Sequence, residues 1–285
     1  MAAWIRLIRR GILDDVRRYS LDGDPCAGGP LSYRSAMIDH STKALGCLPP
    51  HPADKSKRVA FTAVFGPSLP LPEPARDWTD GETSRPEFGN DKIGDCTIAA
   101  IANIIIGAMK ESFGKDWYPS TKDVLSLYYK LTGGKDTGLV IEDVLKYVME
   151  HGAFGHHFLG TASIDPGDTD NIKRAIDWFG AVDLGVGLPL AWQKTSGWTM
   201  DGYFSLDRKW RPGSWGGHCV CSEKYDADFM YVWTWGMLIP VSWDAVRLYF
   251  DTVDAVLLAS WINRGRSPSN LNLSVLQERM KTFVA

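Results

Sequence analysis

Apolar residues recur with helical spacing through the middle of the chain. An apolar stretch at residues 98–109 follows a polar, glycine-containing turn, which predicts a helix beginning near Cys96. Three further amphipathic patterns each end at glycine, the residue that commonly terminates helices. They lie at residues 120–131, 140–151 and 168–179. Ser120 precedes the first of these three and is a suitable N-cap.

After residue 180 the pattern changes to the short apolar runs and alternation that are typical of strands. Strands are predicted at residues 181–188, 218–225, 229–235 and 237–243. Residues 246–262 are mixed and are predicted to end in a helix. Because the helices precede the strands, the predicted fold class is α+β, with the two types of element segregated.

The first seventy residues lack a core of their own. Residues 4–19 predict an amphipathic helix, and residues 22–74 are rich in Gly and Pro without periodicity. We therefore predict an N-terminal arm at residues 1–70, a compact domain at 71–262 and a C-terminal tail at 263–285. The apolar face of the arm helix predicts docking, either on the chain's own cleft or on a neighbouring subunit. The composition of the arm favours the neighbouring subunit, because Gly- and Pro-rich segments are suited to extend across a distance to another molecule.

Composition excludes several classes of protein. The chain has 285 residues and a net charge of −3, which gives no general attraction to nucleic acid. Arg6, Arg9 and Arg10 interrupt any secretory signal, and no apolar run is expected to be long enough for a transmembrane segment. The five cysteines are scattered and odd in number, so no disulfide framework is expected. We expect cytoplasmic synthesis, with incorporation into a virion as one possible destination.

Cys96 and His218 are the candidate reactive pair. The start of a helix favours a thiolate and holds an oxyanion, and Gly216-Gly217 before His218 lets another backbone approach closely. A cysteine nucleophile needs such a histidine. The alternative is structural, since buried Cys and His also serve as ordinary core residues. No cofactor is predicted, and the His156-His157 pair lacks the spacing of a closed metal site.

Six short segments lie in a characteristic order. They are residues 71–78 (LPEPARDW), 90–100 (NDKIGDCTIAA), 137–152, 172–186, 217–226 and 234–236 (TWG). In this order the segments resemble the papain-like cysteine peptidases, over residues 71–243. The resemblance implies a helical half that carries the nucleophile on its central helix, a β-rich half that carries the histidine, and a cleft between them.

The resemblance also implies roles for single residues. Cys96 matches the nucleophile, His218 its partner, and Trp235 the aromatic residue that shields the histidine. Asn90 stands where the family has the glutamine of the oxyanion hole, and it keeps a side-chain amide. The family's orienting asparagine has no clear counterpart; its position falls on Trp233 or, with a one-residue gap, on Thr234, whose hydroxyl accepts a hydrogen bond.

Two functions follow as expectations. The first is a cysteine peptidase-like acyl hydrolase that acts on peptide or isopeptide bonds of a peptide or protein substrate. The second is a catalytically degraded papain-like module, used as a structural or binding subunit of an assembly such as a phage virion. The missing disulfides and the long arm resemble papain-like proteins of bacteria and phages. A contact between Thr234 and the His218 ring would favour the peptidase, and a His218 ring without an orienting contact would favour the degraded module.

Overall fold

The computed structural model describes residues 37–51, 58–66 and 71–262. The predicted arm helix at residues 4–19 and the predicted tail at 263–285 lie outside the described residues. Contacts divide the chain into Met1–Ser35 and Ala36–Ala285, and all elements described below belong to the second unit. The predicted boundary at residue 70 stays a prediction.

The described residues form six α-helices. They are α1 (Phe61–Phe65), α2 (Cys96–Phe113), α3 (Thr121–Leu131), α4 (Ile141–His151), α5 (Thr169–Phe179) and α6 (Trp243–Tyr249). The four predicted helices are confirmed. The Ser120 side chain caps α3 by accepting from the Asp123 N–H, and the Asp168 side chain caps α5 in the same way. Gly152 and Gly180 follow the last residues of α4 and α5, as predicted.

Seven strands form one antiparallel sheet. The strands are β2 (Arg76–Asp77), β3 (Phe158–Ser163), β4 (Val182–Leu188), β6 (Gly216–Tyr225), β7 (Phe229–Thr234), β8 (Met237–Ser242) and β9 (Phe250–Leu258). Their order is β3-β9-β4-β6-β7-β8, and β2 pairs with β6. A separate two-stranded sheet joins β1 (Ile38–Asp39) to β5 (Lys194–Thr195). All four predicted strands are present, and β6 lies between β4 and β7.

The prediction for residues 246–262 is wrong in part. This segment holds the end of α6, the whole of β9 and a single 3₁₀ turn at Ala259–Trp261. Strand β9 runs between β3 and β4, and all of its residues except Asp251 are buried. A strand buried on both faces has a nearly continuous apolar sequence, which periodicity does not distinguish from a buried helix.

Helix α2 is the core of the helical half and begins at Cys96. By length and composition alone this 18-residue helix is apolar enough to cross a membrane, contrary to the expectation from sequence, but 78% of it is buried inside the fold. Its main packing partner is β6. The close contact is made possible by Gly107, where a Cβ atom would lie 2.1 Å from the Glu223 carboxylate of β6.

A buried ion pair fastens α2 to the sheet. Arg85 donates to both carboxylate oxygens of Glu223, at 3.2 and 2.8 Å, and to the Asn103 carbonyl of α2 at 2.9 Å. Trp233 donates to the same carboxylate at 3.1 Å, and its ring lies under the guanidinium. Because all of these groups are satisfied, the charges persist in the core, and they fix the position of α2 on β6.

Part of the predicted arm belongs to the core. Helix α1 buries Phe61 and Phe65, whose rings pack against Trp178 and Phe179 at the end of α5. The expectation that residues 22–74 form only an extended arm is therefore wrong for this helix. Five residues are too few for helical periodicity to be visible in a sequence.

Candidate active site

Cys96 is the first residue of α2 and is fully buried. Burial raises the pKa of its thiol to about 12, although backbone N–H groups of Cys219 and Gly46 lie at hydrogen-bonding positions and act in the opposite direction. Cys219 follows His218 directly on β6, so the thiol lies beside the strand that carries the candidate histidine. The thiol is therefore neutral in this arrangement, and water does not reach it.

Asp95 precedes the thiol and is also buried. Its two carboxylate oxygens have no hydrogen-bond partner among the described residues, so Asp95 precedes α2 without capping it through its side chain. Burial raises the pKa of this carboxyl to about 7, and the nearby Asp136 and Asp91 add to the shift. The carboxyl also raises the pKa of the Cys96 thiol by repulsion.

His218 lies on β6 and is fully buried. Its Nε2 and the Thr234 hydroxyl are 2.6 Å apart, and Thr234 is one of the two positions considered for orienting the histidine. Its Nδ1 has no hydrogen-bond partner in the described part of the chain. Burial lowers the pKa of His218 to about 3, so the ring is neutral. The imidazole is held by one nitrogen and leaves the other free to accept a proton.

Trp235 covers the imidazole. The two rings stack with centroids 4.6 Å apart and an interplanar angle of 21°. Trp235 and Gly236 form the two-residue turn between β7 and β8, with φ of 47° and 74°. A left-handed conformation is unfavourable for tryptophan, and such strain persists where the surrounding structure holds it. The turn therefore sets this tryptophan over His218.

The structure also places the other candidate residues of the site. Asn90 is buried in the turn before α2, and its Oδ1 has no hydrogen-bond partner among the residues that the structure describes. Trp233, the other position considered for orienting the histidine, donates instead to Glu223. Cys47, Cys96, Cys219 and Cys221 are free. Within the described ranges no group of three or more His, Cys, Asp or Glu side chains is arranged to hold a metal.

Residues 43–48, here called the cleft segment, run in extended form past the thiol. The Leu139 N–H donates to the Gly46 carbonyl at 2.9 Å, and the Leu48 N–H donates to the Leu139 carbonyl at 2.9 Å. On the side of β6, the Cys47 N–H donates to the Gly217 carbonyl at 3.2 Å. The helical half and the sheet thus both hydrogen-bond to this segment, as they would to a bound peptide.

Glycines in the cleft segment, on the sheet and on the helical side allow the backbones to approach this closely. A Cβ atom on Gly46 would lie 1.9 Å from the Gly94 carbonyl oxygen, and one on Gly217 would lie 2.3 Å from the Cys47 carbonyl oxygen. On the third side, a Cβ on Gly138 would lie 2.4 Å from the Gly46 carbonyl oxygen. Backbone therefore packs against backbone around Gly46, directly above Cys96.

Contacts outside the cleft anchor the segment. Lys43 forms an ion pair with Glu87 at 2.8 Å, and the His40 ring stacks on Trp235 at 5.2 Å. The arm helix at residues 4–19 lies outside the described residues, so its docking on a neighbouring subunit stays a prediction, whereas residues 37–51 of the arm dock on the chain's own cleft. Composition did not reveal this because the contacts join residues distant in sequence and are made mainly by backbone atoms.

Comparisons with known proteins agree with this architecture. A similar solved structure is xylellain, a cysteine protease from Xylella fastidiosa, with a TM-score of 0.56 and 14% identity, over 76% of this chain and 96% of that chain. Another is procathepsin L 3 from the larval midgut of Tenebrio molitor, with a TM-score of 0.51 and 12% identity, over 76% and 77%. No protein-family model matches the sequence, and no curated protein matches it significantly. The fold is papain-like, and the predicted α+β class is confirmed.

Proposed function

We propose that this chain is a cysteine peptidase in which Cys96 is the nucleophile and His218 the general base. His218 accepts the thiol proton, and the thiolate attacks the carbonyl carbon of a peptide or isopeptide bond. The Asn90 side-chain amide and the Cys96 N–H hold the oxyanion. The imidazolium then gives its proton to the leaving amine, and water hydrolyses the thioester.

The arrangement around His218 carries this proposal. Thr234 holds Nε2 at 2.6 Å, Trp235 covers the ring, and Nδ1 is without a partner in the described residues. A histidine that serves only the core usually has both ring nitrogens satisfied, because an unpaired buried polar atom is costly. An imidazole with one fixed and one free nitrogen is suited to proton transfer.

The cleft segment accounts for the neutral state of the pair. Burial raises the pKa of Cys96 and lowers that of His218, and both shifts depend on the exclusion of water. When the segment leaves, water enters, and the cost of forming a thiolate and an imidazolium falls. We infer that the arm holds the enzyme in an inactive form and that activity requires its displacement.

The second candidate is a degraded module that binds without catalysis, for example in a virion. One observation favours it: Asp95 lies beside the thiol without a partner among the described residues, and its charge opposes a thiolate. The two candidates differ in whether the thiol depends on His218. A structural thiol reacts at the same rate with or without the imidazole.

Labelling of Cys96 separates these candidates. In full-length chain carrying Gly46→Ala, which opens the cleft, an iodoacetamide probe near neutral pH is expected to label Cys96. His218→Ala in the same background should slow labelling about 100-fold, the scale of general-base catalysis. His151→Ala, on an exposed histidine, is the matched control and should have no effect. Equal labelling of the His218→Ala variant and its parent would refute the peptidase.

A further inference from the structure

Two large apolar side chains stand out from the segment that joins β5 to β6. Residues 200–211 of this segment are called the basic loop below. Phe204 is 58% exposed and Leu206 is 78% exposed, and they are two positions apart. Single exposed apolar residues are ordinary on a protein surface, whereas neighbouring ones that are rimmed by polar residues mark a contact site.

The basic loop has a fixed internal structure. Trp210 is buried, its ring meets the Tyr203 ring edge-on at 5.7 Å, and the Tyr249 hydroxyl donates to its carbonyl at 2.8 Å. The Asp207 N–H donates to the Phe204 carbonyl at 3.0 Å, which closes a turn. The exposed apolar side chains therefore belong to a structured turn that is anchored to the core through one tryptophan.

Uncompensated cations follow the apolar pair. Arg208 and Arg211 are exposed, and neither guanidinium forms an ion pair or hydrogen bond with a residue that the structure describes. The Lys209 ammonium lies 3.4 Å from Asp207, whose carboxylate also accepts from the Lys209 N–H at 3.0 Å. Asp201, the other acid of the loop, accepts from a neighbouring hydroxyl at 2.9 Å. The loop thus presents three cations against two acids, and both acids are already engaged.

This combination fits the surface of an anionic lipid bilayer. Apolar side chains enter the boundary between the headgroups and the acyl chains there, while lysine and arginine are attracted to the anionic headgroups. A second protein fits less well, because a stable protein interface buries about 1,200–2,000 Å² around a mostly apolar centre. Two apolar side chains beside three cations do not supply such a centre. Charge complementarity and the small apolar area therefore favour lipid.

The basic loop leads directly to the candidate active site. The four residues that follow Arg211 span at most about 14 Å and end at Trp215. The Trp215 ring packs on Trp235 at 5.7 Å, and Trp235 stacks on His218 at 4.6 Å. The Trp215 N–H also donates to the Leu188 carbonyl of β4 at 2.9 Å. A bilayer that binds the loop would therefore lie close to the cleft.

We propose that the basic loop is a membrane-binding surface, which inserts Phe204 and Leu206 into an anionic bilayer and places Arg208 and Arg211 on its headgroups. The proposal goes beyond the proposed function and does not rest on it, because none of these residues takes part in the chemistry. The consequence for the chain is that it binds at the lipid surface with the cleft beside that surface.

Sedimentation with lipid vesicles tests the apolar part in the full-length chain. One set of vesicles contains about 30% phosphatidylserine in phosphatidylcholine, and the other contains phosphatidylcholine alone. The chain should bind the anionic vesicles at least about tenfold more tightly, since each cation near such a surface contributes about fivefold. Leu206→Ser should weaken this binding about tenfold. Leu71→Ser is the matched control, at a leucine outside the loop that is 86% exposed, and should leave it unchanged.

Paired substitutions test the charges. Arg208→Gln with Arg211→Gln should weaken binding to the anionic vesicles about 25-fold, whereas Lys122→Gln with Lys146→Gln, on exposed cations of α3 and α4, should change it less than about twofold. All of these variants should keep the circular dichroism spectrum of the parent, because the replaced side chains are exposed.

Three results would overturn the proposal. They are an absence of binding to either kind of vesicle, equal binding to both kinds, and binding of the loop variants with the affinity of the parent. The third result would assign membrane binding to another part of the chain. A dimer on gel filtration that Leu206→Ser dissociates, without vesicle binding, would instead identify a second copy of the chain as the occupant. None of these results depends on whether the chain is a peptidase.

Discussion

Gly46→Ala is the change that most directly disturbs the closed cleft. The new Cβ would lie 1.9 Å from the Gly94 carbonyl oxygen and 2.4 Å from the Gly94 Cα. Both are backbone atoms, so no side chain can move to make room. The backbone of Gly46 does not have the positive φ that favours glycine, and the effect of alanine is therefore purely steric. The cleft segment has to move away from Cys96.

The magnitude follows from the hydrogen bonds that the segment loses. Gly46 and the two residues that follow it make three backbone hydrogen bonds with Leu139 and Gly217, and one such bond is worth about 1 kcal/mol net. Loss of two of them costs about 2 kcal/mol, which increases the open population roughly 30-fold. Labelling of Cys96 by iodoacetamide should accelerate by the same factor, provided that opening and closing are fast relative to labelling.

The assay compares labelling rates at Cys96 by peptide mass spectrometry. Gly167→Ala is the matched control, because its Cβ would meet only a side-chain oxygen of Asp165 at 3.1 Å. The control should label as the parent does, and all three proteins should remain the same size on gel filtration. An unchanged labelling rate in Gly46→Ala, with the fold intact by circular dichroism, would refute autoinhibition. A loss of assembly on gel filtration would favour a neighbouring subunit.

Three further changes test the site and its support. Thr234→Val removes the hydroxyl that holds His218 Nε2 and should lower peptide turnover about tenfold, while Thr234→Asn, which keeps an acceptor, should retain most of it. Arg85→Met leaves the Glu223 charge uncompensated in the core and should cost about 3–5 kcal/mol in urea denaturation. Arg247→Met, at an exposed pair, should cost less than about 1 kcal/mol. Asp95→Asn should stabilise the fold increasingly as the pH rises from the usual carboxyl pKa of 3.8 to about 7. In that range the folded wild type binds a proton that the unfolded chain does not, so its stability falls with pH, by up to roughly 4 kcal/mol over the range. A pH-independent difference between the two proteins would contradict this assignment.

The helices could be predicted because their signals are local. Ser120 and Asp168 supply cap hydrogen bonds within three residues, and Gly152 and Gly180 terminate helices in the next position. The resemblance narrowed the residue that orients His218 to Trp233 or Thr234, and only the structure shows that Thr234 makes the contact. That these residues act in catalysis stays a prediction.

The closed cleft could not be predicted from local sequence patterns. Gly46, Leu139 and Gly217 meet through backbone hydrogen bonds between distant segments, and a sequence gives no periodic sign of such contacts. The sequence allowed candidate reactive side chains to be named, whereas it did not predict the packing of distant backbone segments against each other.

Peptide cleavage by the opened chain tests the central claim. The full-length Gly46→Ala protein is incubated with a broad peptide library, and products are identified by mass spectrometry beside the Gly46→Ala, Cys96→Ala double variant. We predict new peptide termini with the first protein and none with the second. Absence of cleavage by both proteins, or the same cleavage by both, would contradict a peptidase that uses Cys96 as its nucleophile.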